Sequence, residues 1–564
     1  MEEILSEKIL VTAALPYANG PLHLGHLAGA YIPADVYVRY QRLKGSDVIF
    51  ICGSDEHGVP ITIRADKEKI APQQVVDRYH FMMKDSFGRL GIDFDNYSRT
   101  SLPLHHKISQ DIFLDLNRKG YIREQEVKQL YCGTCARFLP DRYIEGECPH
   151  CHSGGARGDQ CESCGRWLEP EQIISPKCKV CSSAPEFRAT KHWYFRLSEF
   201  QKRLEDWQAS KENWKSNVRE FCSGWFKDGL TDRPITRDID WGIPVPLPGA
   251  EGKVLYVWFD APIGYISSTV EWAQLKGTPE RWRDYWCDVN TRLIHFIGKD
   301  NIVFHAIVWP AVLMANAEFV LPDQIPANEF LTIEGEKLST SRNWAIWADE
   351  YLAVFPPDPL RYYLAANAPE SKDSDFAWKD FQAHNNNELA DILGNLVNRS
   401  LSFIQKQFEG KTPESLTLAD EDHAILETLE DAVGRIGRSL DAFQVRRAAV
   451  ELMDLARAGN KYFNDSAPWA SIKSNRSRCA ATLNTTLRLE AALSVLMDPF
   501  LPFSAEKLWK MLNGPGSHRD QRWHEAHKLS FPPGHQLGER EILFNKIEDD
   551  IIEMQVQKLR TSST

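Results

Sequence analysis

Hydrophobic and polar positions along the first fifty residues predict strand, loop, helix and strand in turn. Lys8 to Ala14 (KILVTAA) is a short β-rich run, and Pro16, Asn19, Gly20 and Pro21 break it into a loop. After His23, apolar residues recur at helical intervals (Leu27, Ala30, Ala34, Val38), and Lys44 and Gly45 supply a C-terminal stop. Asp47 to Cys52 reads as a second strand, and such a βαβ start predicts a parallel sheet. Further strands are expected at Leu255 to Trp258 and Leu293 to Ile297. Between about 121 and 190 the periodicity fades, and cysteine, glycine and proline dominate, which marks an inserted module. From Ala383 to Lys510 the pattern is helical (Val445, Ala449, Leu452, Leu455 and Phe463 share one face), so a helical bundle is expected. Asn464 to Trp469 (NDSAPW) is expected to close one of its helices at Pro468.

With 43% hydrophobic residues in 564, the chain has material for two to four domains and a large core without disulfides. It has no run of eighteen apolar residues, and MEEILSEKILV lacks the basic n-region of a secretory signal, so the cytoplasm is the expected compartment. A net charge of -12 argues against indiscriminate nucleic-acid binding, while leaving room for a locally basic face. The dinucleotide fingerprint G-x-G-x-x-G is absent, so NAD is not suggested.

Eight of the twelve cysteines form four Cys-x-x-Cys pairs: Cys132/Cys135, Cys148/Cys151, Cys161/Cys164 and Cys178/Cys181. In a chain without a signal sequence these read as metal ligands, enough for two closed, structural Cys₄ sites. Spacing leaves the pairing open. The sites are either sequential, or nested with the inner two pairs inside the outer two.

The sharpest motif is Pro16 to His26 (PYANGPLHLGH), placed between a strand and a helix. A helix N-terminus offers backbone N–H groups to an anion. His23 and His26 can add imidazole donors, and Gly25 lets a nucleotide approach the backbone. The whole string resembles the signature of class I aminoacyl-tRNA synthetases in its methionyl form. The resemblance extends in order through Tyr256 to Tyr265 (YVWFDAPIGY), Phe296 to His305 (FIGKDNIVFH) and Lys337 to Arg342 (KLSTSR), and covers the chain from Lys8 to about Lys558.

The resemblance implies an α/β fold. A Rossmann-like, parallel-sheet catalytic domain (1–120 and 236–330) is split by a zinc-binding insertion (121–235). It is followed by a loop and stem-contact region (331–382), an α-helical anticodon-binding domain (383–540) and a C-terminal helix or tail (541–564). It implies activation of L-methionine with ATP and transfer to tRNA(Met), initiator and elongator, by a chain that acts as a monomer. His23, His26, Lys299 and Lys337 are the expected catalytic residues. ATP is expected at His23, Gly25, His26, Lys337, Ser339, Thr340 and Ser341, with Mg²⁺ accompanying it. Methionine is expected in a slot of Ala14, Leu15, Tyr17, Trp258, Ala261, Pro262, Tyr265, His305 and Trp309, with Asp55 on its ammonium group. Nested zinc sites are implied: Cys148, Cys151, Cys161 and Cys164 for the first, and Cys132, Cys135, Cys178 and Cys181 for the second. Asn395, Arg399 and Trp469 match the anticodon readers. One departure stands out, because the commonest family loop, Lys-Met-Ser-Lys-Ser, has a second lysine where this chain has Thr340. Lys299 or Arg342 is a candidate for the missing charge.

Two other readings compete. A different class I synthetase, such as the cysteinyl one, would carry a mixed-ligand zinc near the first motif, and none is evident. A zinc-ribbon RNA-binding protein would explain the cysteine pairs but leave HLGH, GKDN and KLSTS without a purpose.

Overall fold

The computed structural model describes residues 7–140, 143–158, 161, 163–164, 168, 170–340, 342–414 and 417–562. Strand β1 (Lys8–Ala13) leads through a loop into a helical run. One α-turn (Leu24–His26) and one π-turn (Leu27–Tyr31) precede α1 (Ile32–Lys44), which stops at the left-handed Gly45 (φ 96°). Strands β2 (Asp47–Ser54) and β3 (Asn96–Arg99) follow. An antiparallel ribbon of β4 (Ile122–Cys132) and β5 (Glu186–Phe195) then leaves the domain, paired from Ile122/Phe195 to Tyr131/Glu186. The chain returns through α2 (Ser216–Asp228) and α3 (Val257–Leu275) to β6 (Arg292–Gly298) and β7 (Ala327–Asn328).

The central sheet has the order β7-β6-β1-β2-β3, every neighbouring pair parallel. Leu10 lies opposite both Leu293 and Ile49. Both faces are covered, so β1 and β6 are apolar along nearly their whole length, as strands inside a doubly wound sheet must be. The strand order reverses at β1. The crevice beyond the C-terminal ends of β1, β2 and β6 is therefore the place where such sheets bind ligands.

The expected strand Leu255–Trp258 is corrected. Only Val254–Leu255 pairs as a strand, Tyr256 caps the next helix in an extended conformation, and Val257 already begins α3. This helix is buried nearly all round, so it shows no amphipathic period, and a short apolar run such as YVWF reads equally as strand.

A helical bundle follows: α4 (Pro357–Ala366), α5 (Asn395–Gln407), α6 (Asp420–Asp441), α7 (Val445–Ser466), α8 (Pro468–Ser474) and α9 (Arg476–Leu496). Pro468 does not close α7. Ala467 turns left-handed (φ 38°), and Pro468 opens α8 at the position where its missing N–H costs nothing. Helices α7 and α9 touch so closely at Gly459 that an added Cβ would stand 2.3 Å from Leu489 Cδ2.

A buried ion network joins this bundle to the sheet domain. Asp35 on α1 accepts from Arg39 (2.7 Å) and from Arg361 of α4 (2.6 Å). Arg39 also reaches Asp498, which accepts from His518 at 2.7 Å. Buried pairs of this kind add little net stability, but removing one member strands a charge, so they fix relative placement. The helix carrying the first motif is thereby pinned to the bundle.

Candidate active site

Beyond the C-terminal edge of the sheet lies a cavity of about 2100 Å³. A single small-ligand pocket holds roughly 300–1,000 Å³, so this one has room for several ligands. His23 caps the first helical turn. The two motif histidines interlock: His26 N–H donates to His23 Nδ1 (3.3 Å), and His23 N–H donates to His26 Nδ1 (3.2 Å). Their rings stack with centroids 3.6 Å apart. Because each Nδ1 accepts, each Nε2 carries the proton and can donate outward. Burial holds His26 down at about 4 and lowers His23 as well, so both are neutral N–H donors at physiological pH.

Gly25 sits where a Cβ would meet His23 Nδ1 at 3.0 Å and Leu338 Cδ1 at 3.2 Å. The loop holding Leu338 is brought there by pairing of the next segment. Leu24 N–H donates to Ile346 O (3.1 Å), and Ala348 N–H donates to Leu22 O (2.8 Å). Lys337, on a short strand opposite Thr332, is exposed and lines the cavity together with Thr340. Ser339 does not line it; its hydroxyl accepts from the Arg342 N–H at 3.4 Å. Ser341 lies outside the described residues. Lys299 lines the cavity, but Glu329 and Asp373 hold its ammonium group at 2.7 Å each, so its charge is neutralised locally. Arg342 is exposed and does not line the cavity.

Of the amino-acid slot, Ala14, Leu15, Tyr17, Asp55, Trp258, Ala261, Pro262, Tyr265 and His305 line the cavity. They come from the ends of β1 and β2, from α3, and from the π-turn after β6. Trp309 does not. It is 1% exposed and packs edge-on against Trp286, behind the wall, because its position on a helix buried on all sides faces the core. His305 Nδ1 donates to the Asn301 carbonyl (3.0 Å), so Nε2 accepts from Tyr265 Oη at 2.8 Å. Burial holds His305 down at about 4, which leaves the slot uncharged on that side.

Asp55 is 3% exposed, and no basic side chain among the described residues pairs with it. Burial raises its carboxyl well above the ordinary range, and Asp260 and Glu56 add to the effect. An anion in that situation favours an incoming cation.

Among the lining residues that escape the sequence reading are Phe304, Asp300 and Arg237. Phe304 stacks on Trp258 (3.8 Å, 9°), and Asp300, exposed on the cavity wall, lies in the short turn after β6. Both stand inside the FIGKDNIVFH block, which could have signalled them. Arg237, 3.7 Å over the Tyr256 ring, has no such signal.

The cysteines gather as two sets, Cys132/Cys135/Cys178/Cys181 and Cys148/Cys151/Cys161/Cys164, each with its four thiols within 4.8 Å. Sulfur separations are 3.4 Å (Cys132–Cys181), 3.9 Å (Cys135–Cys178), 3.8 Å (Cys148–Cys164) and 3.6 Å (Cys151–Cys161). A tetrahedral Cys₄ zinc site with 2.3 Å bonds has sulfur edges of about 3.8 Å, so the residues fit a metal ion. Backbone N–H groups around Cys161 and the Ser183 hydroxyl beside Cys181 pull those thiols down to about 6, while burial and the neighbouring thiols push Cys135 up to about 12 and the thiols around Cys151 push it up as well, so protons are shared within each set.

At the far end of the bundle, Arg399 donates to Asn464 Oδ1 (2.7 Å). Its guanidinium carbon lies 5.1 Å from the Phe463 ring and 5.3 Å from that of Trp469. Trp469 is 43% exposed, and Asn395 opens the helix that carries Arg399.

A family model described as tRNA synthetases class I (M) matches residues 9–401, and one for the anticodon binding domain of methionyl tRNA ligase matches 412–563. A methionine–tRNA ligase of Bacteroides fragilis (strain YCH46) is 54% identical over 557 residues, 98% of this chain and 81% of that one. The methionine–tRNA ligase of Pyrococcus furiosus is 48% identical over 97% of this chain and 76% of its own length. Among solved structures, Mycobacterium tuberculosis methionyl-tRNA synthetase in complex with methionyl-adenylate superposes with a TM-score of 0.78 at 26% identity. That match covers 95% of this chain and 99% of that one.

Proposed function

Because this chain belongs to the class I methionyl-tRNA synthetase family, we propose how its residues divide the work of that reaction. The chain activates L-methionine with ATP to methionyl-adenylate and pyrophosphate, then passes methionine to the 3′ end of tRNA(Met).

In the first step the methionine carboxylate bonds to the α-phosphorus, and the bond to pyrophosphate breaks. The carboxylate is ionised at neutral pH, so no general base is required. What remains is alignment and neutralisation of phosphate charge. The Nε2–H groups of His23 and His26 donate from one side, where Gly25 keeps the approach open. Lys337 and Thr340 close from the other. Mg²⁺ would come with the ATP substrate and would supply further positive charge against its phosphates. Lys299, locked to two carboxylates, serves to hold the turn after β6 rather than to replace the second loop lysine.

Asp55 holds the substrate ammonium group. Tyr17, Trp258, Tyr265 and His305, with Ala14, Leu15, Ala261 and Pro262, surround the thioether side chain, which aromatic rings suit. Trp309 supports this wall from behind. The two cysteine sets hold structural zinc and stiffen the inserted ribbon, which has little core of its own. Asn395, Arg399 and Trp469 read the CAU anticodon by hydrogen bonds and stacking, in initiator and elongator tRNA alike.

The observation that carries this reading is the meeting, in one cavity, of two neutral imidazole donors and a buried carboxylate with no basic partner among the described residues. Radiolabelled methionine is expected to accumulate on a CAU-anticodon tRNA(Met) transcript and not on the same transcript with a changed anticodon. Equal charging of both would overturn the anticodon assignment, and charging of neither would overturn the whole.

A further inference from the structure

Behind the amino-acid slot lies a buried polar cluster to which the reaction described so far gives no task. Asp260 stands on α3, directly before Ala261 and Pro262 of the slot, and is fully buried. His57 follows Asp55 by two residues and is buried too, with its Nδ1 2.8 Å from Asp260 Oδ2. His105, on the helix Pro103–Arg118, brings Nε2 to 3.4 Å from the same oxygen. Its Nδ1 meets the hydroxyl of Ser267, also on α3, at 2.9 Å. Although burial pushes the Asp260 carboxyl up, His57 and His105 hold it below the ordinary range, and burial lowers His105. An ionised carboxylate only accepts, so both imidazoles turn an N–H towards it. Asp260 Oδ1 has no hydrogen-bond partner among the described residues, and no Lys or Arg among them pairs with this carboxylate. Glu56 is placed differently, because Arg99 donates to it at 2.9 Å, and His80 behind it is held down at about 3 by burial. His106, its ring centroid 5.3 Å from that of His57, is held down at about 4 by burial, and burial raises the Tyr265 hydroxyl, so neither adds charge. Of the three carboxylates Asp55, Glu56 and Asp260, only Asp55 opens onto the cavity.

We infer that Asp260, clamped by His57 and His105, is a positioning residue for methionine: it ties the loop that carries Asp55 to the helix that carries Trp258, Ala261 and Pro262, and it sets a second buried negative charge behind the ammonium site. The inference rests on Asp55 holding the substrate ammonium group. Three observations support it. The bond from His57 to Asp260 spans 203 residues of sequence and joins two walls of the slot, so the place of Asp55 relative to the apolar wall is fixed by a hydrogen bond. His105 grips α3 twice, at Asp260 and at Ser267, which fixes the helix from the opposite side. After burial itself, Asp260 is the largest cause of the raised Asp55 carboxyl, so the two anions act on each other. An arriving ammonium group relieves both of them, and a ligand of the same shape without that charge relieves neither.

The test uses the full, zinc-loaded chain and three variants. Asp260→Asn removes the charge and keeps an oxygen that accepts from His57. His57→Leu removes the donor, and His57→Gln restores one. Methionine and its deamino analogue, which keeps the thioether and the carboxylate, are titrated calorimetrically across pH. Asp260→Asn should weaken methionine by about 10-fold, as loss of one charge acting through a second layer of residues does, and should leave the analogue unweakened. Its acid limb of methionine binding should move to lower pH, because Asp55 loses the anion that raised it. In pyrophosphate exchange the loss should fall on methionine KM more than on kcat, and should spare ATP KM. His57→Leu should weaken methionine as well, and His57→Gln should recover most of that loss. An acid limb that stays at the parent pH, or an equal loss for methionine and its analogue, would overturn the role of Asp260 alone. If Asp260→Asn does not fold, the His57 pair decides: a His57→Gln variant as weak as His57→Leu would overturn the clamp. So would a third metal ion per chain by elemental analysis, since the ligand atoms of His57, His105 and Asp260 lie within 4.8 Å of one another and would then be holding a cation. Parent-like methionine affinity in Asp55→Asn would overturn the ammonium reading and this inference with it.

Discussion

Replacing Asp55 by asparagine separates binding from folding. The side chains are nearly isosteric, and the backbone bridge that seats residue 55 is untouched: its N–H donates to Pro16 O, and its carbonyl accepts from Ala18 N–H, both at 2.8 Å. The carboxylate receives one long backbone contact, from His57 N–H at 3.4 Å. Burial, with Asp260 and Glu56 nearby, holds its pKa above the ordinary value. A carboxyl raised in this way contributes stability only below its folded-state pKa, while protonated. As pH rises through that pKa the contribution is lost, and at pH 7 the buried anion is a cost to the free enzyme. Asp55→Asn removes that cost, so the apo melting temperature at pH 7 should hold or rise. Methionine binding should move the other way, because the substrate ammonium group then enters a buried site without its counter-charge. Truncating one partner of a buried charge pair costs about 2–5 kcal/mol, and 3 kcal/mol is about 150-fold in Kd. Parent affinity should also weaken as pH falls through the raised Asp55 pKa, above the ordinary aspartate value near 3.9, and the variant should lack that acid limb. Isothermal titration with methionine and thermal melts across pH measure both. An unchanged Kd would refute the reasoning, as would a lost Kd accompanied by an equal loss of melting temperature.

Lys337→Ala should slow pyrophosphate exchange by about 10²- to 10³-fold, as loss of one charge-stabilising donor does, with methionine affinity unchanged; near-normal exchange would remove it from the site. His26 stays neutral above about 4, so the exchange rate should show no imidazole limb near 6.5, and one that disappears in His26→Asn would contradict the neutral-donor assignment. Cys178→Ser should lower bound zinc from two ions per chain to one, since it breaks one of the two cysteine sets; unchanged zinc content by elemental analysis would break the grouping. Trp469→Ala should cut charging kcat/KM by about 5- to 150-fold, the cost of one lost base stack, and leave exchange intact; full charging would exclude it from anticodon contact.

Much of the fold was legible because the sequence pattern is local. A β-rich run, a Pro/Gly loop and a helical period predict β1 and α1, and Leu293 to Ile297 sits inside β6. The insertion announces itself through cysteine, since four Cys-x-x-Cys pairs have few other uses in a chain of this kind. What spacing left open, three-dimensional proximity groups: Cys132 lies beside Cys181 although 49 residues separate them. The failures have a common cause. A helix buried on every side has no polar face, so the start of α3 reads as a strand in the sequence, and Trp309 reads as a cavity residue although it faces the core. Lys299 looked available because sequence does not reveal that Glu329 and Asp373 fold back onto it. Arg237 carries no motif at all, and only the fold brings it to the cavity wall.

The most direct measurement is ATP–pyrophosphate exchange run separately with each of the twenty amino acids. The account predicts exchange driven by methionine, with the others at background. Exchange driven chiefly by another amino acid would contradict the pocket built around Asp55, Trp258 and His305. No exchange with any of them, from folded and zinc-loaded protein, would contradict the catalytic assignment itself.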